Sequence, residues 1–240
     1  MQIAIVLYPG VTALDAVGPY EVLRLLPDAE VRFVGEEPGP VLADSGVLCL
    51  GITHSYAETP EPDIVLVPGS GPRTATMMAD KQLTDWLRKV HATTSWTTSV
   101  CTGSMILAAA GILDGLPATT HWLVQPGLAA MGAEARRGER IVHAGKVVTA
   151  AGVSAGIDLA LWLAGEIAGR ERAEIIQLFV EYDPQPPFDA GHPSKASKAV
   201  LDNAAALVRK GAINRSEMRA IPTIAWQRTL AVVRRRRKAR

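Results

Sequence analysis

Cys101 stands in Ser99-Val100-Cys101-Thr102-Gly103-Ser104, between an apolar, β-branched run and a pattern of small helical residues. Trp96-Thr97-Thr98-Ser99-Val100 reads as a strand end, and Met105-Ile106-Leu107-Ala108-Ala109-Ala110 as a buried helix closed by Gly111. A side chain at such a strand-to-helix turn projects from the carboxyl edge of a sheet, beside helix N-terminal amides whose partial positive charge favours a thiolate. The turn has the form of a G-x-S-x-G nucleophile elbow, with Ser99 and Gly103 flanking the cysteine. A small buried core cysteine fits the same spacing, so the turn alone leaves both roles open.

Asp15 is the acid/base candidate. It follows Ala13-Leu14 in an apolar segment just after the first strand, where desolvation would raise a carboxyl pKa as a general acid requires. The same residue could instead cap the helix that runs on to Leu26, and Glu21 could face the site from a later turn. Gly69-Ser70-Gly71 reads as an anion-binding turn whose amides, with that of Thr102, could form an oxyanion hole. Of the five histidines, His121 is kept as a site candidate because polar and aromatic residues, Trp122 among them, cluster around it. No His/Cys/Asp cluster has metal-ligand spacing, so neither a metal nor a cofactor is expected.

The elements that must position these residues alternate. Ile3-Ala4-Ile5-Val6-Leu7 is an apolar run ending at Pro9-Gly10, as in a strand buried on both faces. A helical pattern over 14–26, strands at 31–34 and 63–67, a charged helix over 80–91 and the strand into Cys101 follow. This alternation predicts an α/β fold, a flavodoxin-like doubly wound and mostly parallel sheet with helices on both faces. Ligands bind such sheets at the carboxyl ends of strands, where 9–15, 68–72 and Cys101-Thr102 all fall. Residues 140–143 and 147–150 suggest a hairpin around Gly145-Lys146. Two helices follow, over 154–168 and 171–182, the second expected to bury Ile175, Ile176, Leu178 and Phe179. The proline-rich run 183–188 must be irregular. Beyond it lies a helical arm from about 194, expected to break near Gly211 and at Ile221-Pro222. The division expected is a domain over 1–192 and a helical extension with a basic tail over 193–240.

Formal charge is +1 over 240 residues, but residues 234–240 hold six cations, leaving about −5 for the rest. The body therefore offers nucleic acid no electrostatic attraction, and the tail suits a solvated helix end as well as an anionic surface. Cys49 and Cys101 are the only cysteines and form no Cys-x-x-Cys pair, which points to a reducing cytoplasm rather than a disulfide framework. The start of the chain has no basic leader or cleavage pattern, and Asp158 and Glu166 interrupt the most apolar helix, so a soluble protein without a membrane span is expected.

Taken in order, Pro9-Gly10, Leu14-Asp15, Gly18-Pro19-x-Glu21-Val22-Leu23, Val67-Pro68-Gly69 and Val100-Cys101-Thr102-Gly103-Ser104 resemble the ThiJ/PfpI superfamily, with its class I glutamine-amidotransferase-like fold. Residues 108–115, Ala118-Thr119-Thr120-His121-Trp122, 152–158 and 181–188 look like its isonitrile hydratase branch, and the likeness runs from residue 2 to about 192. The resemblance implies hydration of a small-molecule isonitrile to an N-substituted formamide, without a metal. Cys101 would be the nucleophile, Asp15 the proton donor and Thr102 its helper in orienting water. It also implies a homodimer. Ser70 departs from the pattern, standing where the family often has a second glycine. Two other classes compete with the enzyme. One is a redox-sensing or protective protein in which Cys101 is oxidised. The other is an AraC-type regulator, which needs roughly a hundred more residues for two helix-turn-helix motifs, whereas 52 follow Phe188.

Overall fold

Four residues of the first strand, Ile3 to Val6, are completely buried, as an apolar run in the middle of a parallel sheet must be. In this computed structural model the backbone is described for residues 1–212 and 215–238, and the side chains for 1–208, 217–227 and 229. In chain order the elements are β1 (Gln2–Val6), α1 (Ala13–Leu23), β2 (Glu30–Gly35), β3 (Gly39–Leu42), β4 (Cys49–Ile52), β5 (His54–Ser55), β6 (Ile64–Val67), α2 (Thr74–Ala79), α3 (Lys81–Thr93), β7 (Trp96–Val100) and α4 (Gly103–Ala109). There follow β8 (Pro117–Ala118), a 3-10 turn (Trp122–Val124), α5 (Gln125–Ala130), β9 (Glu134–Ala135), β10 (Ile141–Ala144), β11 (Val147–Ala150), α6 (Ala155–Ala168), α7 (Arg170–Phe179), α8 (Lys198–Ala212) and α9 (Arg215–Lys238).

The main sheet has the order β10-β11-β7-β6-β1-β2-β5. All its neighbours pair parallel except the edge hairpin β10–β11, where Ile141 faces Ala150. From β1 the chain first winds outward to β2 and β5, then returns to the other side through β6 and β7. The winding reverses between β1 and β6, and this switch point is where doubly wound sheets open a ligand crevice. Helices α1, α6 and α7 pack together, and α2, α3 and α4 form a second packed group. The expected α/β architecture is what the chain adopts.

Some elements depart from the expectations. The hairpin β3–β4 and the short pair β8–β9 were not foreseen, because strands of two to four residues carry too little periodicity to register. On α7 only Ile176 is buried, while Ile175, Leu178 and Phe179 are exposed. A ten-residue helix resting on α6 buries one narrow stripe, and these three lie on the flank. In the arm, Gly211 lies within α8, described to Ala212; α9 is described from Arg215, and residues 213–214, next to the break expected near Gly211, lie outside the described residues. The break expected at Pro222 is absent, since α9 runs through it. Burial of Glu217 and Ala220 on one side of the proline, and packing of Ile224 against the core on the other, hold the helix across the missing N–H. The side chains of the basic tail lie outside the described residues. Among the described residues no helix is long and apolar enough to cross a membrane.

Candidate active site

The turn after β7 is sharp enough to force Cys101 to φ +56°, a left-handed value that few residues other than glycine adopt. Gly103 is what permits it: a Cβ there would stand 1.9 Å from the Val67 carbonyl oxygen. Strain held in place by such packing is characteristic of reactive turns. The elbow is pinned from several sides. The Cys101 N–H donates to Ala151 O at 2.8 Å, and its carbonyl accepts from the hydroxyls of Thr120 at 3.0 Å and Ser104 at 3.2 Å.

Asp15 meets this elbow from the other side of the switch point. It is the third residue of α1 and fully buried, and Thr12 occupies the N-cap position. The capping alternative is therefore excluded, and the carboxylate looks across the sheet edge instead. Its Oδ2 accepts from the Gly69 N–H at 2.8 Å. Its Oδ1 is buried without a hydrogen bond of ordinary geometry. Burial raises the Asp15 pKa to about 7, against the lowering effects of the Gly69 amide and of contact with Cys101.

For Cys101 the expectation of a ready thiolate is corrected. Burial, then the charge of Asp15, push the thiol well up; the amides of Val153 and Thr102 pull it down but do not prevail. Cys101 is only 5 % exposed, so its thiol has lost most of its hydration, and two amide dipoles do not replace water around an anion. The resting pair is thus a protonated thiol beside a carboxyl poised near neutrality, and their titrations belong to the pair.

The turn Gly69-Ser70-Gly71 behaves differently from an open oxyanion hole. The Gly69 amide is taken by Asp15, and the Ser70 amide donates to Thr102 Oγ1 at 2.9 Å. A Cβ on Gly69 would lie 2.5 Å from the Thr102 nitrogen and 3.0 Å from Asp15 Oδ2. This glycine therefore lets carboxylate and elbow close on one another. Gly71 is open on all sides. The Thr102 hydroxyl lies 3.0 Å from Ser70 O and 2.8 Å from Thr74 Oγ1, and Thr74 also donates to Ser70 O. What Thr102 turns toward the sulfur is its backbone N–H.

His121 is brought in from the segment after β8. Its Cδ2 would lie 3.0 Å from a Cβ on Gly152, beside the Val153 amide that faces the thiol, and its ring centroid is 5.7 Å from that of Trp122. Burial lowers the His121 pKa, so the ring stays neutral at physiological pH. Glu21 does not join the site, since it lies at the surface and pairs with Arg24 at 2.7 Å. Two groups were missed by sequence reasoning. Val153 contributes only an amide, which no side chain announces. Tyr8, just past β1, is buried and donates to Pro68 O at 2.8 Å. Burial, and then the neighbouring Asp15 carboxyl, hold its hydroxyl protonated. Its place before Pro9 at the strand end was the available signal.

A flavodoxin-like sheet with an acid after its first strand and a strained cysteine elbow define the class. The chain belongs to the DJ-1/PfpI family, whose model matches residues 1–166. It is 43 % identical over 204 residues to isonitrile hydratase of Pseudomonas putida, covering 85 % of this chain and 88 % of that enzyme. A ThiJ/PfpI family protein from Pseudomonas syringae superposes with a TM-score of 0.84 at 33 % identity, covering 93 % of this chain and 90 % of that one. Drosophila melanogaster DJ-1beta shares the fold, with a TM-score of 0.70 at 21 % identity over 76 % of this chain and 98 % of its own.

Proposed function

We propose that this chain hydrates isonitriles to N-substituted formamides, with Cys101 as nucleophile and Asp15 as the group that moves the proton. The observation that carries the reading is the pair itself, a buried thiol against a buried carboxyl whose pKa is about 7. The kinship with an isonitrile hydratase supports the choice of substrate. So does the burial of Cys101, 5 % exposed, which suits a linear group that arrives end-on with one terminal carbon.

The chemistry balances without a co-reactant other than water. Asp15 takes the thiol proton as sulfur bonds to the terminal carbon of R–N≡C, and delivers it to that carbon, giving the thioimidate R–N=CH–S–Cys101. Asp15 takes a proton from water as its oxygen adds to the same carbon and passes that proton to the nitrogen, giving R–NH–CH(OH)–S–Cys101. Collapse of the adduct breaks the C–S bond, releases R–NH–CHO and returns the proton to sulfur. The amides of Thr102 and Val153 steady the sulfur whenever it carries charge. In this scheme His121 and Trp122 face the substrate beside Gly152. The turn Gly69-Ser70-Gly71 holds Asp15 and Thr102 in place rather than the substrate.

The redox-sensing alternative is weaker on physical grounds, because sensor cysteines are exposed and acidified, and Cys101 is neither. Formamide release from alkyl and aryl isonitriles by wild type, Cys101→Ala and Asp15→Ala decides the matter. Turnover lost in both variants is expected. An inert wild type, or an active Cys101→Ala, overturns the reading.

We further assign a homodimer. A groove of about 440 Å³ along α1, α6 and α7, with Leu14 and Phe179 exposed at it, offers an apolar face for a second copy. Light scattering on Phe179→Glu tests it, a monomer being the expected result. Residues 1–192 are read as the domain and 193–240 as its extension. Two unpaired cysteines, Cys49 exposed and Cys101 buried, suit a cytoplasmic setting.

A further inference from the structure

Helix α2 is six residues long, too short to hold itself together, and it lies between the Gly69–Gly71 turn and α3. Both its ends are held by α9. At the N-terminal end the Glu217 carboxylate accepts from the N–H groups of Ala75 at 2.7 Å and Thr76 at 3.0 Å, and from the Thr76 hydroxyl. These first-turn amides have no carbonyl partner within their own helix, and a carboxylate is the acceptor that suits them best. At the other end Gln227 donates to Ala79 O at 3.5 Å. Glu217, Ala220, Ile224 and Gln227 recur at helical spacing, forming one stripe of α9 laid along α2. Glu217 is 9 % exposed, so the cap is a buried one.

What α2 carries makes this contact bear on the chemistry. Its first residue, Thr74, bonds through its hydroxyl to Thr102 Oγ1 at 2.8 Å and to Ser70 O. Thr102 follows Cys101 and turns its amide toward the sulfur. Ser70, the other partner, is tied to Gly10 O at 2.5 Å and to the Arg73 N–H at 3.0 Å. A path therefore leads from Glu217 to the elbow, through its hydrogen bonds to the α2 amides, the single peptide link from Ala75 back to Thr74, and the Thr74–Thr102 hydrogen bond. The family model ends at residue 166, well before this carboxylate.

We propose that Glu217 is a positioning residue for the Cys101 centre: by capping α2 from the C-terminal arm it fixes Thr74, and through Thr74 the Thr102 amide that steadies the sulfur. The inference rests on the isonitrile-hydrating reading above, but it has a second readout that does not. Loss of the carboxylate leaves two part-buried N–H groups without their acceptor, so the first turn of α2 must rearrange to find others. Thr74 then loses its register with Thr102.

Full-length Glu217→Ala, Glu217→Gln and Thr74→Val test this, each assayed for kcat, KM and the pH profile of Cys101 alkylation by iodoacetamide. Glu217→Ala is expected to lower kcat about tenfold with KM nearly unchanged, and to move the alkylation profile to higher pH. Glu217→Gln keeps an acceptor and recovers most of the rate. Thr74→Val leaves the arm docked but cuts the path, and reproduces the losses of Glu217→Ala; the double variant adds little more. A merely structural contact would lower melting temperature while leaving kcat per folded molecule and the alkylation profile at wild-type values, and that result overturns the proposal. Should Glu217→Ala fail to fold, wild-type behaviour in Thr74→Val overturns it equally. Absence of isonitrile turnover in the wild type counts against the proposed function alone, and the alkylation profiles then judge the path by themselves.

Discussion

Two turns leave the same edge of the sheet from adjacent strands, one after β6 and one after β7, and they use their backbones in opposite ways. After β7 the amide of Thr102 is turned toward the Cys101 sulfur, where the amide of Val153 joins it from the segment after β11. After β6 the amides of Gly69 and Ser70 are consumed by Asp15 and Thr102. Both are glycine-containing turns at strand ends, and both look like anion holes in one dimension. The difference lies in what the neighbouring segments bring within reach. The β6 turn meets a carboxylate and a hydroxyl, and its donors are satisfied; the β7 turn meets a thiol that seldom carries charge. On the proposed function the first turn is a support and the second is the site.

Substitutions at the glycines should break this contrast most severely. In Gly103→Ala the new methyl would have to occupy space held by the Val67 carbonyl, so the elbow cannot form as it stands. A loss of 3 kcal/mol or more, on the order of the larger single-residue effects, is expected by chemical denaturation. Gly69→Ala intrudes on Thr102 and Asp15 and is expected to lower activity along with melting temperature. Gly71→Ala meets nothing within 4 Å and should stay within about 0.5 kcal/mol of wild type. Equal behaviour of the Gly69 and Gly71 variants would remove the distinction between a supporting position and a free one.

Asp15→Asn separates chemistry from stability. Activity on isonitriles is expected to fall by roughly 10²–10⁴, the usual worth of a positioned acid–base group. Stability should move the other way. The folded pKa of about 7 lies above the 3.8 of a free aspartate, so the folded state binds the proton more tightly and loses stability as pH rises from about 4 to 7. Removing the charge is therefore worth up to roughly 4 kcal/mol at pH 8 and little near pH 4, which denaturation curves at the two pH values will reveal.

The smallest effect concerns pH alone. In the proposed mechanism one proton is shared by Asp15 and Cys101, and the carboxyl must be able to take it from the thiol. We expect kcat/KM to rise with pH through about 7 and then stay level, because the thiol titrates far higher. A profile that falls through neutrality would mean that the carboxyl works only as a standing acid and that the thiol loses its proton elsewhere.

Much of the frame was legible because its signals are local. Ile3 to Val6 and Ile64 to Val67 are unbroken apolar runs that only a doubly covered sheet can bury, and Pro9-Gly10 and Pro68-Gly69 mark where those strands stop. The hairpin at 141–150 was visible from its turn at Gly145. Other features escaped because burial is not a property of residue type. Leu178 and Phe179 look like core residues and are 80 % and 66 % exposed, since nothing in the described chain lies over that flank of α7. Val153 acts through an amide, and Pro222 stops no helix once α2 and the core hold α9 from both sides of it.

At the site, residue type and position along the chain determined which groups would meet at the sheet edge: Cys101 at an elbow, Asp15 past the first strand, and a glycine turn between them. The proton on the sulfur was decided only in three dimensions. Helix-end amides favour a thiolate and are encoded next to the cysteine, whereas desolvation opposes it and depends on every segment that closes over the sulfur. Tertiary structure sets that balance against the charge, and it brings the Asp15 carboxyl and the Thr102 amide to the same sulfur.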